Sequence, residues 1–117
     1  MSFQVVDPQG NVVPPSTPEE GSAFLASMEN RRVALTTFSD GASTSTVFLG
    51  LDHGGEGQPL FFETMHLGED TQRYATWAEA LAGHRACVSD HVKNAGVEIV
   101  EDHQFIAPRR RADPASF

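Results

Sequence analysis

The chain has 117 residues with 39% hydrophobic and 9% aromatic content, one domain's worth with enough apolar side chain for a modest core. Eight Lys and Arg against sixteen Asp and Glu leave a net charge of −8, which excludes a general affinity for nucleic acid or anionic membrane, because phosphate binding is driven by excess cationic side chains. Cys87 stands alone and cannot form an intramolecular disulfide, MSFQVVDPQG is not a basic-then-apolar leader, and no run of about 18 apolar residues occurs, so a soluble, cytoplasmic protein is expected.

From the N-terminus, FQVV and NVV flank the turn signal DPQG, which predicts a short hairpin over Phe3 to Val13. STPEE then places Thr17 as N-cap, Pro18 at the first helical position and Glu20 three residues after the cap, predicting a helix from Pro18 to about Glu29 with Phe24, Leu25 and Met28 as its apolar stripe. The pattern next changes to period two. RVALTTF and TSTVFLGL read as two strands joined at Asp40-Gly41, with Val33, Leu35, Val47, Leu49 and Leu51 at alternating positions. DHGGEGQP is a Gly-rich loop, and Leu60 to Leu67 supplies a third strand, completing an antiparallel meander. TWAE repeats the capping logic, with Thr76 as cap and Glu79 at the third helical position, and the helical pattern runs to the stop signal Asn94-Ala95-Gly96. VEIV, Val97 to Val100, suits an edge strand. The expected architecture is α+β: a three-stranded antiparallel meander plus an N-terminal hairpin, packed with two helices. It forms one domain over residues 1–107, with a mobile tail at 108–117.

Within FFETMHL, Glu63 sits between Phe61 and Met65 on one strand face, while Leu60, Phe62, Thr64 and His66 share the other. The long helix offers a core-facing seam of Trp77, Leu81, His84, Val88, His91 and Ala95. If this seam packs on the Phe61, Met65 and Leu67 face, Glu63 and His84 are both drawn inward and offset each other's desolvation, with Arg73 and Tyr74 as further partners. Such a pair is either a satisfied polar contact in a small core or a proton-transfer pair lining a pocket. Phe48 and Phe62 add large apolar surface that predicts a homo-oligomer.

Other constellations compete with simpler readings. Asp52 and His53, with Glu56 and His66, could be assembled into a His and carboxylate metal site, but no metal-ligand spacing supports it, and Asp52 suits the capping of local amides. HGGEG lacks the phosphate-loop pattern and carries an acid. No serine stands in a nucleophile elbow, and Cys87 falls mid-helix, where a small core residue is the default. Arg73 and Tyr74, just before the second helix, could converge with free backbone amides on one anion, as a nucleotide-like ligand requires.

STVFLGLDH, PLFFETM and RYATWAEALAGH, taken together over roughly Arg32 to Val92, resemble a family of small proteins encoded by phages and prophages that carry a similar S-T-V-x-L-G-L-D-H, F-E-T-M, R-Y-x-T, G-H series. The sequence departs from that pattern at Ser43 and Leu67 and in the segment after Gly96. The family is in turn similar to phage sponge proteins that sequester cyclic ADP-ribose-type signals of bacterial defence systems such as Thoeris. The resemblance implies a non-enzymatic, anti-defence binding protein in the host bacterial cytoplasm. Its ligand would be a nucleotide-type signal, cyclic ADP-ribose-like or a cyclic oligonucleotide, enclosed by a homo-oligomer, with no cofactor, metal or catalytic residue. Arg73, Tyr74, Glu63, His84, Asp52, His53 and Phe48 are the expected ligand-binding residues. Two alternatives are an acidic inhibitor of a host defence protein, of the anti-CRISPR type, and a small hydrolase using Glu63 and His84 or a metal at Asp52 and His53.

Overall fold

The computed structural model describes residues 3–52, 57 and 59–108. The elements in chain order are β1 (Val5–Val6), β2 (Val12–Val13), α1 (Pro18–Ala26), α2 (Met28–Arg31), β3 (Arg32–Phe38), β4 (Ser43–Phe48), β5 (Phe62–His66), β6 (Glu69–Tyr74), α3 (Trp77–Ala95) and β7 (Ile99–Gln104). The fold is α+β. β1 and β2 form a small hairpin, and the other five strands form one antiparallel sheet in the order β6-β5-β4-β3-β7.

Local signals account for most of these elements. The Asp7 carboxylate accepts from the Gln9 and Asn11 amides and holds the β1–β2 turn. Thr17 Oγ1 accepts from Glu20 N at 3.0 Å to start α1, and Thr76 Oγ1 accepts from Glu79 N at 3.1 Å to start α3. α3 ends at Gly96, whose φ of +65° suits a residue without Cβ. The first helix is shorter than its sequence pattern: α1 closes at Ala26, extended backbone at Ser27 breaks the rod, and α2 continues as one turn. Met28 lies on that separate turn and is exposed.

Two strands exceed the meander. β6 has no apolar alternation and sits at the sheet edge, where a strand needs none, so Arg73 and Tyr74 end a strand instead of opening a helix. The C-terminal edge strand begins at Ile99 and runs to Gln104. The expected tail falls, from residue 109 onward, outside the described residues.

α3 packs across β3 to β6 on one sheet face. Its buried stripe is Trp77, Ala80, Leu81, His84 and Val88. Beside its N-terminal half lies the apolar core, in which Phe48 meets Phe24, Phe62 and Phe61, and Phe62 meets Trp77, at ring separations of 5.3–6.3 Å. The covered face of β5 is Phe62, Thr64 and His66, in register with Phe48, Thr46 and Thr44 of β4. This reverses the expected face assignment, which placed Phe61, Glu63 and Met65 under the helix. The physical reason is that threonine hydroxyls are buried here in mutually satisfied groups, so polar residues occupy the inner face and the period-two pattern no longer distinguishes inside from outside.

Candidate functional site

The reversal separates the expected site. Glu63 lies on the face opposite α3, where its carboxylate accepts from Arg73 Nε at 3.0 Å; the Glu63 side chain is 9% and the Arg73 side chain 39% exposed. The strand register explains the pair, because Glu63 and Arg73 are direct cross-strand neighbours of β5 and β6. His84 and Tyr74 are on the helix side, so Glu63 and His84 do not form a pair. Phe48 is completely buried in the apolar core and presents no surface to a ligand or to a second copy. Asp52 Oδ1 accepts from Leu60 N at 2.9 Å, closing the Gly-rich loop as a backbone cap. His53 and Glu56 lie outside the described residues. Among the described residues no group of three or more His, Cys, Asp or Glu side chains could hold a metal ion.

In place of the Glu63 pair, the structure assembles a buried polar chain between α3 and the sheet. Thr36, Thr46, Thr64 and His84 are completely buried. His84 Nε2 lies 2.9 Å from Thr36 Oγ1, and His84 Nδ1 lies 2.8 Å from Thr46 Oγ1. Thr46 Oγ1 is 2.6 Å from Thr64 Oγ1, which is 3.1 Å from Tyr74 OH. At the other end the Thr36 hydroxyl donates to Asp102 Oδ1 at 2.8 Å. One strand after another thus contributes one group: Tyr74 from β6, Thr64 from β5, Thr46 from β4, Thr36 from β3 and Asp102 from β7.

Proton counting fixes the direction at the Asp102 end of this chain. A carboxylate only accepts, so the single Thr36 proton goes to Asp102, and Thr36 must accept from His84 Nε2–H. Burial is the main cause that lowers the His84 pKa, to about 4, against the opposing pull of Asp102, with Arg85 also lowering it. The neutral imidazole therefore accepts at Nδ1 from Thr46, while at the far end of the chain the Thr64 hydroxyl donates to Tyr74 OH. Gly83 makes room for Tyr74 at one end of the chain, since a Cβ there would overlap the Tyr74 ring and hydroxyl.

Asp102 opens into a groove of about 500 Å³ between α3 and β7. Its apolar lining is Val88, Val92 and Ile99, and its polar lining includes Arg85, Ser89 and Lys93. Gln104 completes it: its amide donates to both Asp102 oxygens at 3.0 and 2.9 Å and its carbonyl accepts from Arg85 Nε at 2.6 Å. The Asp102 carboxylate is held by donors on both sides, while the guanidinium and the Lys93 ammonium share the groove wall. A larger groove of about 790 Å³ between the N-terminal hairpin and α1 is lined by residues such as Phe3, Pro14, Pro15 and Leu25, with no ionisable side chain.

At the far end of α3, His91 Nε2 lies 3.0 Å from Asp40 Oδ2, the His66 and His91 ring centroids are 4.8 Å apart, and His66 Nδ1 lies 2.7 Å from Thr44 Oγ1. Burial and the neighbouring His91 lower the His66 pKa, and burial raises that of the half-buried Cys87 thiol. Asp40 is held low chiefly by the Ala42 amide. This cluster ties the β3–β4 turn to the helix.

Arg85, Lys93, Asp102 and the three threonines were not singled out as site residues from sequence. His84 was, and its position in the helical seam was the signal that a polar partner set had to exist beneath it. Searches against protein-family models, curated proteins and solved structures find no match.

Proposed function

We propose that this chain is a non-enzymatic binding protein that captures a small nucleotide-type anion in the groove between α3 and β7. The observation that carries this reading is the convergence of Arg85 and Lys93 on one groove with an apolar lining, in a chain with eight basic residues in all and a net charge of −8. A planar base would lie against Val88, Val92 and Ile99, the phosphates against the two cations, and Ser89 and Gln104 would supply neutral hydrogen bonds. The resemblance to phage sponge proteins for cyclic ADP-ribose-type signals favours the same ligand class and a role against host defence. The site differs from the Arg73 and Tyr74 arrangement expected from sequence, because those side chains point to opposite sheet faces. A purely sequestering role accords with His84, whose imidazole is enclosed by protein and cannot touch a substrate.

Titration calorimetry with cyclic ADP-ribose and a cyclic dinucleotide tests this reading. Expected are micromolar or tighter binding of at least one probe, a loss of about tenfold or more on Arg85→Ala or Lys93→Ala, and recovery of the probe unchanged by mass spectrometry. Absence of binding to any such probe, or conversion of the probe, sinks it.

A second reading, an acidic inhibitor of a host defence protein, is favoured by the sheet face opposite α3, where Leu35 and Val47 are half-buried, Met65 is exposed and no helix among the described residues packs. Under that reading Met65→Asp abolishes activity against the host system and leaves nucleotide titrations flat.

A further inference from the structure

A carboxylate stands between the two cations of the α3/β7 groove, and anion capture alone does not call for one. Arg85 and Lys93 are eight residues apart on α3, roughly 12 Å along the helix axis. The short link from Gly96 to Glu98 turns β7 back along α3, so Gln104, which Arg85 holds, and Ile99 mark opposite ends of the groove. Asp102 is two residues from Gln104, roughly 7 Å, and therefore near the middle. Its capacity to accept is only partly used. A guanidinium only donates, so the Arg85 bond to Gln104 Oε1 fixes the Gln104 amide with Nε2 toward Asp102. Oδ1 accepts from the Thr36 hydroxyl and from Gln104 Nε2, whereas among the described residues Oδ2 accepts from Gln104 Nε2 alone. A carboxylate oxygen accepts two hydrogen bonds, so Oδ2 retains capacity for one more donor.

We propose that Asp102 reads the base of the captured nucleotide: Oδ2 accepts from an exocyclic amine, so the groove prefers adenine to a purine that carries a carbonyl in its place. This deepens the assignment of the groove to a nucleotide-type ligand and rests on it. Charge argues against a plain phosphate site. Two cations and one carboxylate leave the lining at a net charge of +1, and a phosphate placed midway meets Asp102. Anionic groups are therefore confined to the Arg85 and Lys93 ends, and the middle falls to an uncharged group that brings a donor. A base lying against Val88 and Val92 supplies that donor at its edge. On adenine the amine is flanked by ring nitrogens that only accept, and the Ser89 hydroxyl, on the helix wall of the same groove, can donate to one of them. Hypoxanthine puts an oxygen where the amine was, and two acceptors then face each other with no proton between them. Were Asp102 only an anchor for Thr36 and Gln104, the groove would not distinguish these bases.

Titration calorimetry of the full chain with adenosine diphosphate and cyclic di-AMP, each against its inosine counterpart, and with inorganic pyrophosphate tests the proposal. The adenine member of a pair that binds is expected to be about tenfold tighter than the inosine member, with pyrophosphate weaker than either. In Asp102→Asn the side-chain carbonyl keeps the Thr36 bond and an amide that donates takes the place of Oδ2, so the inosine member is expected to become the tighter one, with thermal unfolding reporting whether the variant is folded. The wild-type series needs no variant and decides alone if Asp102→Asn does not fold. Equal affinity of the wild type for adenine and inosine members overturns the role of Asp102 and leaves the groove standing as a nucleotide site, as does a folded Asp102→Asn chain that keeps the wild-type preference. Pyrophosphate as tight as the adenine probes overturns base reading in favour of a plain anion site. Failure of both adenine probes to bind overturns the proposal together with the nucleotide assignment on which it rests.

Discussion

His84 concentrates the physical chemistry of the molecule in one side chain. Its folded pKa of about 4 lies below its ordinary 6.5, so between those values the unfolded chain binds a proton that the folded chain refuses. The contribution is fully present above pH 6.5 and is lost as pH falls toward 4, amounting to about 3 kcal/mol. Urea denaturation of the wild type and of His84→Gln between pH 7 and 4 is expected to show a steeper loss for the wild type, the difference between the two curves isolating the imidazole from the carboxylates that titrate alongside it. Acid also has a structural meaning here: a proton on Nδ1 forces the Thr46 hydroxyl to turn from donor to acceptor toward His84. Glu63 teaches the opposite lesson about magnitude. Its carboxylate is buried, yet the Arg73 guanidinium is partly in water and can find solvent when its partner is neutralised. Glu63→Gln is therefore expected to cost about 1 kcal/mol in chemical denaturation, well short of the penalty for stranding a fully buried charge.

At the scale of elements, α3 is the part of the molecule most tightly specified. Its cap is tested by Thr76→Ala, expected to cost about 1 kcal/mol of stability. Its closest approach to the sheet is tested by Gly83→Ala, whose Cβ would overlap the Tyr74 ring and hydroxyl and which is expected to lower stability by about 2 to 3 kcal/mol in thermal unfolding. The same helix shows what was legible in sequence. Capping residues, the Gly96 stop and the four-three spacing of its apolar seam are local signals, and the helix, the hairpin, the meander and the antiparallel pairing all follow from such signals. β6 was not legible, because an edge strand with both faces near water shows no alternation. The inner face of β5 was not legible either, because Thr64 and His66 are inside only by virtue of partners on β4 and α3 that no local pattern reveals. For the same reason Glu63 and His84 looked like partners: each is a polar residue flanked by apolar ones, and only the sheet lying between them shows that they answer to different neighbours.

For the molecule as a whole, the segment after Gly96, which reads as an addition in the resemblance to phage proteins, is built into the structure. β7 pairs with β3, Asp102 terminates the buried chain, and the Trp77 indole donates to Phe105 O at 2.7 Å. A chain ending at Gly96 leaves the Thr36 hydroxyl and the Trp77 indole without these acceptors, and is expected to lose cooperative unfolding in circular dichroism and to aggregate through the newly bare edge of β3. The hydroxyl chain has one more consequence, for how the two layers are indexed. An interface of leucines tolerates sliding, since one apolar contact substitutes for the next. Here the helix is pinned by an imidazole whose two nitrogens must meet two particular hydroxyls on neighbouring strands, at 2.9 and 2.8 Å. A turn of slippage along the helix axis, or a rotation about it, breaks both at once and strands four hydroxyls without water. The layers therefore lock in one relative setting, and a small protein gains the mechanical definition that its modest core alone would not provide.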